Sequence, residues 1–136
     1  MSDNNEHLKG VMDRLMDHVM VADPIDDIKQ RLRQFVVDRD WEKFNSPKNL
    51  SMALIAEAGE LLEHFQWLTE EQSSKLSSDQ TKEVSYEMAD IFIYLLRICD
   101  QLNIDLIDVT KQKIEINNKR YPVEKVKGSS KKYSEY

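Results

Sequence analysis

Four carboxylates stand out in this 136-residue sequence because of their spacing and of what is missing around them. Glu57 and Glu60 are three residues apart, as are Glu87 and Asp90, so each pair projects from one face of a helix. Two antiparallel helices can bring such pairs together. No Lys or Arg occurs between Asn49 and Ser74, or from Glu83 to Leu96, so none of the four has an intrahelical cationic partner. Glu83 adds a negative charge one turn before Glu87, and Glu63 another one turn after Glu60. Like charges at that spacing destabilise a helix by about 0.2–0.5 kcal/mol per pair, and by more on a desolvated face. Leu54, Ile55, Ala56, Ala58, Leu61 and Leu62 surround the first pair and leave little of the helix circumference to solvent. A solvated acidic face is the competing reading, but acids retained on so apolar a helix call for a cation. Oxygen ligands without Cys select a hard ion, Mg2+ or Mn2+, and Mg2+ commonly bridges protein carboxylates to substrate phosphates. A di-iron bundle expects Glu-x-x-His pairs, and none of His7, His18 and His64 has a Glu three residues before it.

The elements that must carry these acids are helical. The chain is 40% apolar, enough for one core, and contains only three Gly and three Pro among many good helix formers, which predicts one all-α domain. Leu8, Val11, Met12, Leu15 and Val19 predict a short amphipathic helix over residues 7–20, an N-terminal extension with no evident chemistry. Asp23-Pro24 starts a helix whose apolar stripe runs from Ile25 to Val36, and Ser46-Pro47 starts the helix that carries Glu57 and Glu60 to near Trp67. Residues 68–80 read as a polar, mobile connection. Asp79 is the expected cap of a third helix with the stripe Val84, Met88, Ile91, Leu95, Ile98 and Leu102. Asp105 caps a fourth helix that stops before Tyr121-Pro122, after which an extended tail is expected. The domain is therefore placed at 23–136, after an extension over 1–22.

Charge and cysteine usage narrow the classes further. The net charge of −6 argues against a protein that coats nucleic acid by neutralising phosphates. Residues 111–132 nevertheless hold eight Lys or Arg against two Glu, so an acidic body carries a basic C-terminal segment that could meet a metal-loaded phosphate. Cys99, the single cysteine, stands in an apolar run and reads as an inert core thiol in a reducing, cytoplasmic setting. No signal peptide opens the sequence, and no apolar run approaches the roughly 20 residues of a membrane span.

Glu57-x-x-Glu60, a spacer of 26 residues and Glu87-x-x-Asp90 together resemble the metal-binding signature of the MazG-like all-α nucleotide pyrophosphohydrolases. Further matches are Arg39-Asp40-Trp41-Glu42-x-Phe44, Pro47-x-Asn49-Leu50, Phe65-Gln66-Trp67 and Asn117-x-x-Arg120-Tyr121-Pro122, with Lys132-Tyr133 near the end. That combination is similar to the short dCTP pyrophosphatase branch. The resemblance implies a four-helix-bundle fold completed by dimerisation, a homotetramer built as a dimer of dimers, and Mg2+-dependent conversion of a nucleoside triphosphate to monophosphate and pyrophosphate. Glu57, Glu60, Glu87 and Asp90 would hold Mg2+, or Mn2+, with Glu57 and Glu60 catalytic. Trp41 and Trp67 would wall the base pocket; without the resemblance either Trp reads as core. Asn49, Tyr94, Lys113, Asn117, Arg120 and Tyr121 would contact the substrate, residues 113, 117 and 120 sharing one helical face. The alternative from another class is a non-catalytic helical oligomerisation or regulatory module with a structural metal. The second long helix is apolar on two sides, Leu50, Leu54, Leu61 and Phe65 on one and Met52, Ile55 and Leu62 on the other, more than one chain readily covers.

Overall fold

The computed structural model describes residues 23–131 and 134. The helix expected over residues 7–20, together with Lys132 and Tyr133, lies outside them. The described residues form helices α1 (Pro24–Val37), α2 (Pro47–Glu63), α3 (Glu70–Ser73), α4 (Ser78–Gln101), α5 (Leu106–Arg120) and α6 (Val123–Val126), with a 3-10 turn at Glu42–Phe44 and no strand among them. The all-α class is as expected. Between Glu42 and Lys43 the chain divides into two compact units.

The first unit is organised by how α1 starts and stops. The Asp23 carboxylate accepts the Ile25 N–H at 2.9 Å with Pro24 in the first turn, as the sequence predicts. Past its last turn, the N–H of Trp41 donates to the carbonyl of Val36 and that of Asp40 to Val37, with Asp40 in the left-handed region at φ 52°. This is a Schellman turn with Asp where Gly is usual. It sets Trp41 edge-on against Phe35, with ring centroids 5.9 Å apart at 73°, while the Arg39 guanidinium lies 3.6 Å from the Phe35 centroid.

In the second unit α2 starts where expected: Ser46 Oγ accepts the Asn49 N–H at 3.2 Å, and the Asn49 side-chain amide donates to the Phe44 carbonyl at 3.1 Å. Beyond Glu63 the chain turns through residues 64–67, with the N–H groups of Phe65 and Gln66 both donating to the Leu62 carbonyl. The connection expected over 68–80 contains a helical turn, α3, closed by a reciprocal cap between Thr69 and Gln72. Ser77, not Asp79, caps α4. Its Oγ accepts from the Gln80 N–H at 3.2 Å and the Gln80 side chain accepts from the Ser77 N–H at 3.0 Å, which satisfies two end donors at once and leaves Asp79 as a first-turn acid. A second Schellman turn, with Asn103 at φ 53° and Ile104 N–H donating to the Cys99 carbonyl at 2.8 Å, ends α4. Asp105 then caps α5 as predicted, through the Asp108 N–H at 2.9 Å. The extended tail expected after Pro122 begins instead with the single turn α6.

The extensive helix packing among the described residues is α2 on α4. Leu50, Val84, Leu96 and Cys99 are buried, the last as expected. Arg97 is buried too, paired with Asp100 at 3.2 Å. The predicted stripe of α4 is only partly inside: Met88 and Leu102 are 57% and 51% exposed, because α2 covers one side of α4 and no other described helix packs broadly upon it. Replacing Ser77 by Ala should cost about 1 kcal/mol in urea unfolding, whereas Asp79→Ala, which removes only a charge favourable to the helix dipole, should cost roughly half that or less.

Candidate metal and active site

The register of α2 against α4 decides what the acids can do. Glu57 meets Glu87 and Asp90, while His64, two turns further along α2, meets Glu83 and Glu87, so the two helices run antiparallel. One oxygen from each of Glu57, Glu87 and Asp90 falls within a set no more than 4.8 Å across. Three of the four expected ligands are thereby brought together. Glu60 is more exposed and stands outside that set, yet its charge acts on Glu57.

Burial first, and then the charges of Glu60, Asp90 and Glu87, raise the pKa of the Glu57 carboxyl above its ordinary value. All the charges that shift it are negative. Tyr94 is one turn beyond Asp90, and its hydroxyl pKa is raised by burial, then by Glu57 and Asp90, so its proton is held more firmly. An all-oxygen donor set under mutual repulsion fits a hard divalent cation, whose charge would relieve that repulsion. Glu57, Glu87 and Asp90 would hold the ion, with Tyr94 at the rim.

The other expected site residues of the second unit are not drawn into this cluster. Trp67 is 86% exposed on the turn after α2 and Trp41 is 46% exposed in the first unit, so neither is a core residue of the single chain. The side chain of Asn49 is committed to the turn before α2. Lys113, Asn117 and Arg120 are exposed along α5, and Tyr121 follows them with its N–H donating to the Asn117 carbonyl at 2.8 Å. Read from the sequence, His64 is set aside as a ligand and left a helix-end polar residue, and it does close α2 outside the ligand set; what sequence reasoning missed is that its ring approaches two glutamates of α4. The signal was present: residues 57, 60 and 64 are spaced three and four apart, one face of α2.

An antiparallel helix pair with converging carboxylates defines an all-α protein with an acidic cluster between its two long helices. A profile of the MazG-like family matches residues 53–136, and the chain belongs to that family. It is 36% identical to dCTP pyrophosphatase 1 of Homo sapiens over 113 residues, which cover 82% of this chain and 66% of that protein. With dCTP pyrophosphatase 1 of Mus musculus the identity is 35% over the same length, and the chain spans just under two thirds of the length of these relatives. Among solved structures, a pyrophosphatase from Archaeoglobus fulgidus DSM 4304 matches with a TM-score of 0.71 at 36% identity, over 74% of this chain and 94% of that one. The resemblance to the dCTP pyrophosphatase branch is thereby borne out.

The crowding of like charges has a measurable sign. Because the folded protein raises the proton affinity of Glu57, the ionised carboxylate opposes folding above its ordinary pKa, and this cost fades as falling pH protonates the group in the folded state. Glu57→Gln should therefore raise the Tm of the EDTA-treated protein at pH 8, and the gain should shrink on acidification through the raised pKa. An unchanged or lowered Tm at pH 8 would show that the repulsion is relieved by other means.

Proposed function

We propose that this protein is a metal-dependent pyrophosphohydrolase that cleaves the α–β phosphoanhydride of a deoxynucleoside triphosphate, dCTP favoured, giving monophosphate and pyrophosphate. The convergence of Glu57, Glu87 and Asp90 carries the reading, supported by family membership and by relatives named for dCTP pyrophosphatase activity. Mg2+ is the ion of choice, with Mn2+ able to use the same oxygens. When bound it supplies charge neutralisation for the triphosphate and activation of the attacking water.

The chain's own residues do the rest. Glu57, Glu87 and Asp90 would hold the ion, with Glu60, whose charge acts on Glu57, as the fourth acid beside them, and proton acceptance from the water is assigned to the pair Glu57 and Glu60. Tyr94, protonated at neutral pH as phenols are, is assigned as a donor to phosphate or sugar oxygen beside the cluster. Lys113, Asn117, Arg120 and Tyr121 are assigned to phosphate and sugar, with Trp67 stacking near the base and Asn49 bordering the pocket. No described helix is long and apolar enough to cross a membrane, and we place the protein in the cytoplasm.

Oligomerisation belongs to the same reading. Met52, Ile55 and Leu62, one stripe of α2, are 63%, 69% and 61% exposed in the single chain, and Tyr86 and Met88 of α4 are exposed as well. A second copy that covers these helices would complete the bundle, and we assign a homotetramer built as a dimer of dimers.

Turnover should be tested with Mg2+ and a panel of nucleoside triphosphates. Pyrophosphate release with dCTP preferred is expected, and Asp90→Asn should lower the rate by about 100-fold or more, the scale on which removing a charged group from the reacting centre acts, with helix content unchanged. A protein that binds the ion and hydrolyses no nucleotide would be a regulatory module with a structural metal. Light scattering at micromolar concentration should give about four times the 16.0 kDa of one chain. A monomeric mass would remove the assembly from the account.

A further inference from the structure

His64 closes α2, its N–H donating to the Leu62 carbonyl, and so reaches α4 from a fixed helix end. Its imidazole lies between two glutamates one turn apart: Nδ1 is 4.0 Å from Glu83 Oε2, and Nε2 is 3.8 Å from Glu87 Oε1. The side chains of His64 and Glu87 are 27% and 19% exposed, whereas Glu83 is at the surface at 64%. Among the described residues, His64 is the one basic side chain within 4 Å of Glu87. It is not one of the residues whose ligand atoms converge with Glu57 and Asp90.

We propose that His64 is a positioning residue: it holds Glu87 from outside the cluster so that a Glu87 oxygen faces the cation, a role that rests on the metal-site reading given above. A ligating carboxylate tethered by a second side chain is restricted in rotation and is presented already aimed, and such outer partners are worth 10- to 100-fold in metal affinity, roughly. The gap of 3.8 Å exceeds a hydrogen bond. A small rotation of the Glu87 carboxylate or one bridging water closes it. A neutral imidazole with its N–H on the Glu87 side is sufficient, so the role does not depend on the ring being charged.

The test is Mn2+ binding to the metal-free full chain, followed by the electron paramagnetic resonance signal of free Mn2+, alongside steady-state kinetics. His64→Leu and His64→Ala should each weaken Mn2+ binding by about tenfold or more and raise the Mg2+ needed for half-maximal rate by a like factor, with the nucleotide KM at saturating Mg2+ unchanged. His64→Gln, which keeps an N–H donor, should return to within about threefold of the parent protein. Parent-like binding by both the Leu and Ala variants, or a Gln variant as weak as they are, would overturn the role. Glu87→Gln separates the two levels. If it binds Mn2+ as tightly as the parent, the metal-site reading falls and this inference with it; if it loses Mn2+ while the Leu and Ala variants retain it, only the inference about His64 falls.

Discussion

Glu57, Glu87 and Asp90 hold carboxylate oxygens within 4.8 Å of one another, and the charges that shift Glu57 are all negative. At Glu57 the arrangement opposes folding, since burial raises the cost of its charge and the neighbouring acids add repulsion. It persists because apolar packing of α2 on α4, with Leu50, Val84 and Leu96 inside, outweighs it. In the function proposed above, a divalent cation would relieve that repulsion.

The remaining architecture can be understood as fixing register. One residue of slip along a helix shifts a side chain by about 1.5 Å and 100°, enough to turn Asp90 away from Glu57. The segment joining α2 to α4 resists such slip with two reciprocal caps in succession, Thr69 with Gln72 and Ser77 with Gln80. At the far end of α4 the left-handed Asn103 stops the helix and Asp105 begins the next, so α4 is defined from both sides. The same device at Asp40 places Trp41 immediately beyond α1.

Much of this was legible in the sequence where local chemistry is decisive. Asp23-Pro24, Ser46-Pro47 and Asp105 mark helix starts because a short oxygen-bearing side chain satisfies end donors regardless of what packs nearby. The spacing of the acids put each pair on one face, and the absence of nearby cations raised the expectation of a bound ion. Other features depended on pairwise competition. Ser77 and Asp79 are both good caps, and only the reciprocal bond with Gln80 favours the former. The turns α3 and α6 are too short for periodicity to reveal. Met88 and Leu102 followed the apolar spacing of α4 but lie at the surface of the single chain, since spacing states which face is apolar and not what covers it. The contacts of His64 were missed for a related reason: its partners are on another helix, and only the antiparallel register brings them within reach.

In the proposed function the acidic cluster directs water to the α-phosphorus of a nucleoside triphosphate. Hydrolysis of dCTP in 18O-labelled water, with mass analysis of both products, tests this without reference to any variant. One labelled oxygen in the nucleoside monophosphate and an unlabelled pyrophosphate are expected. Label in pyrophosphate would place the attack on the β-phosphorus, and release of labelled orthophosphate would place it on the γ-phosphorus; either result would contradict the chemistry assigned to Glu57, Glu60, Glu87 and Asp90.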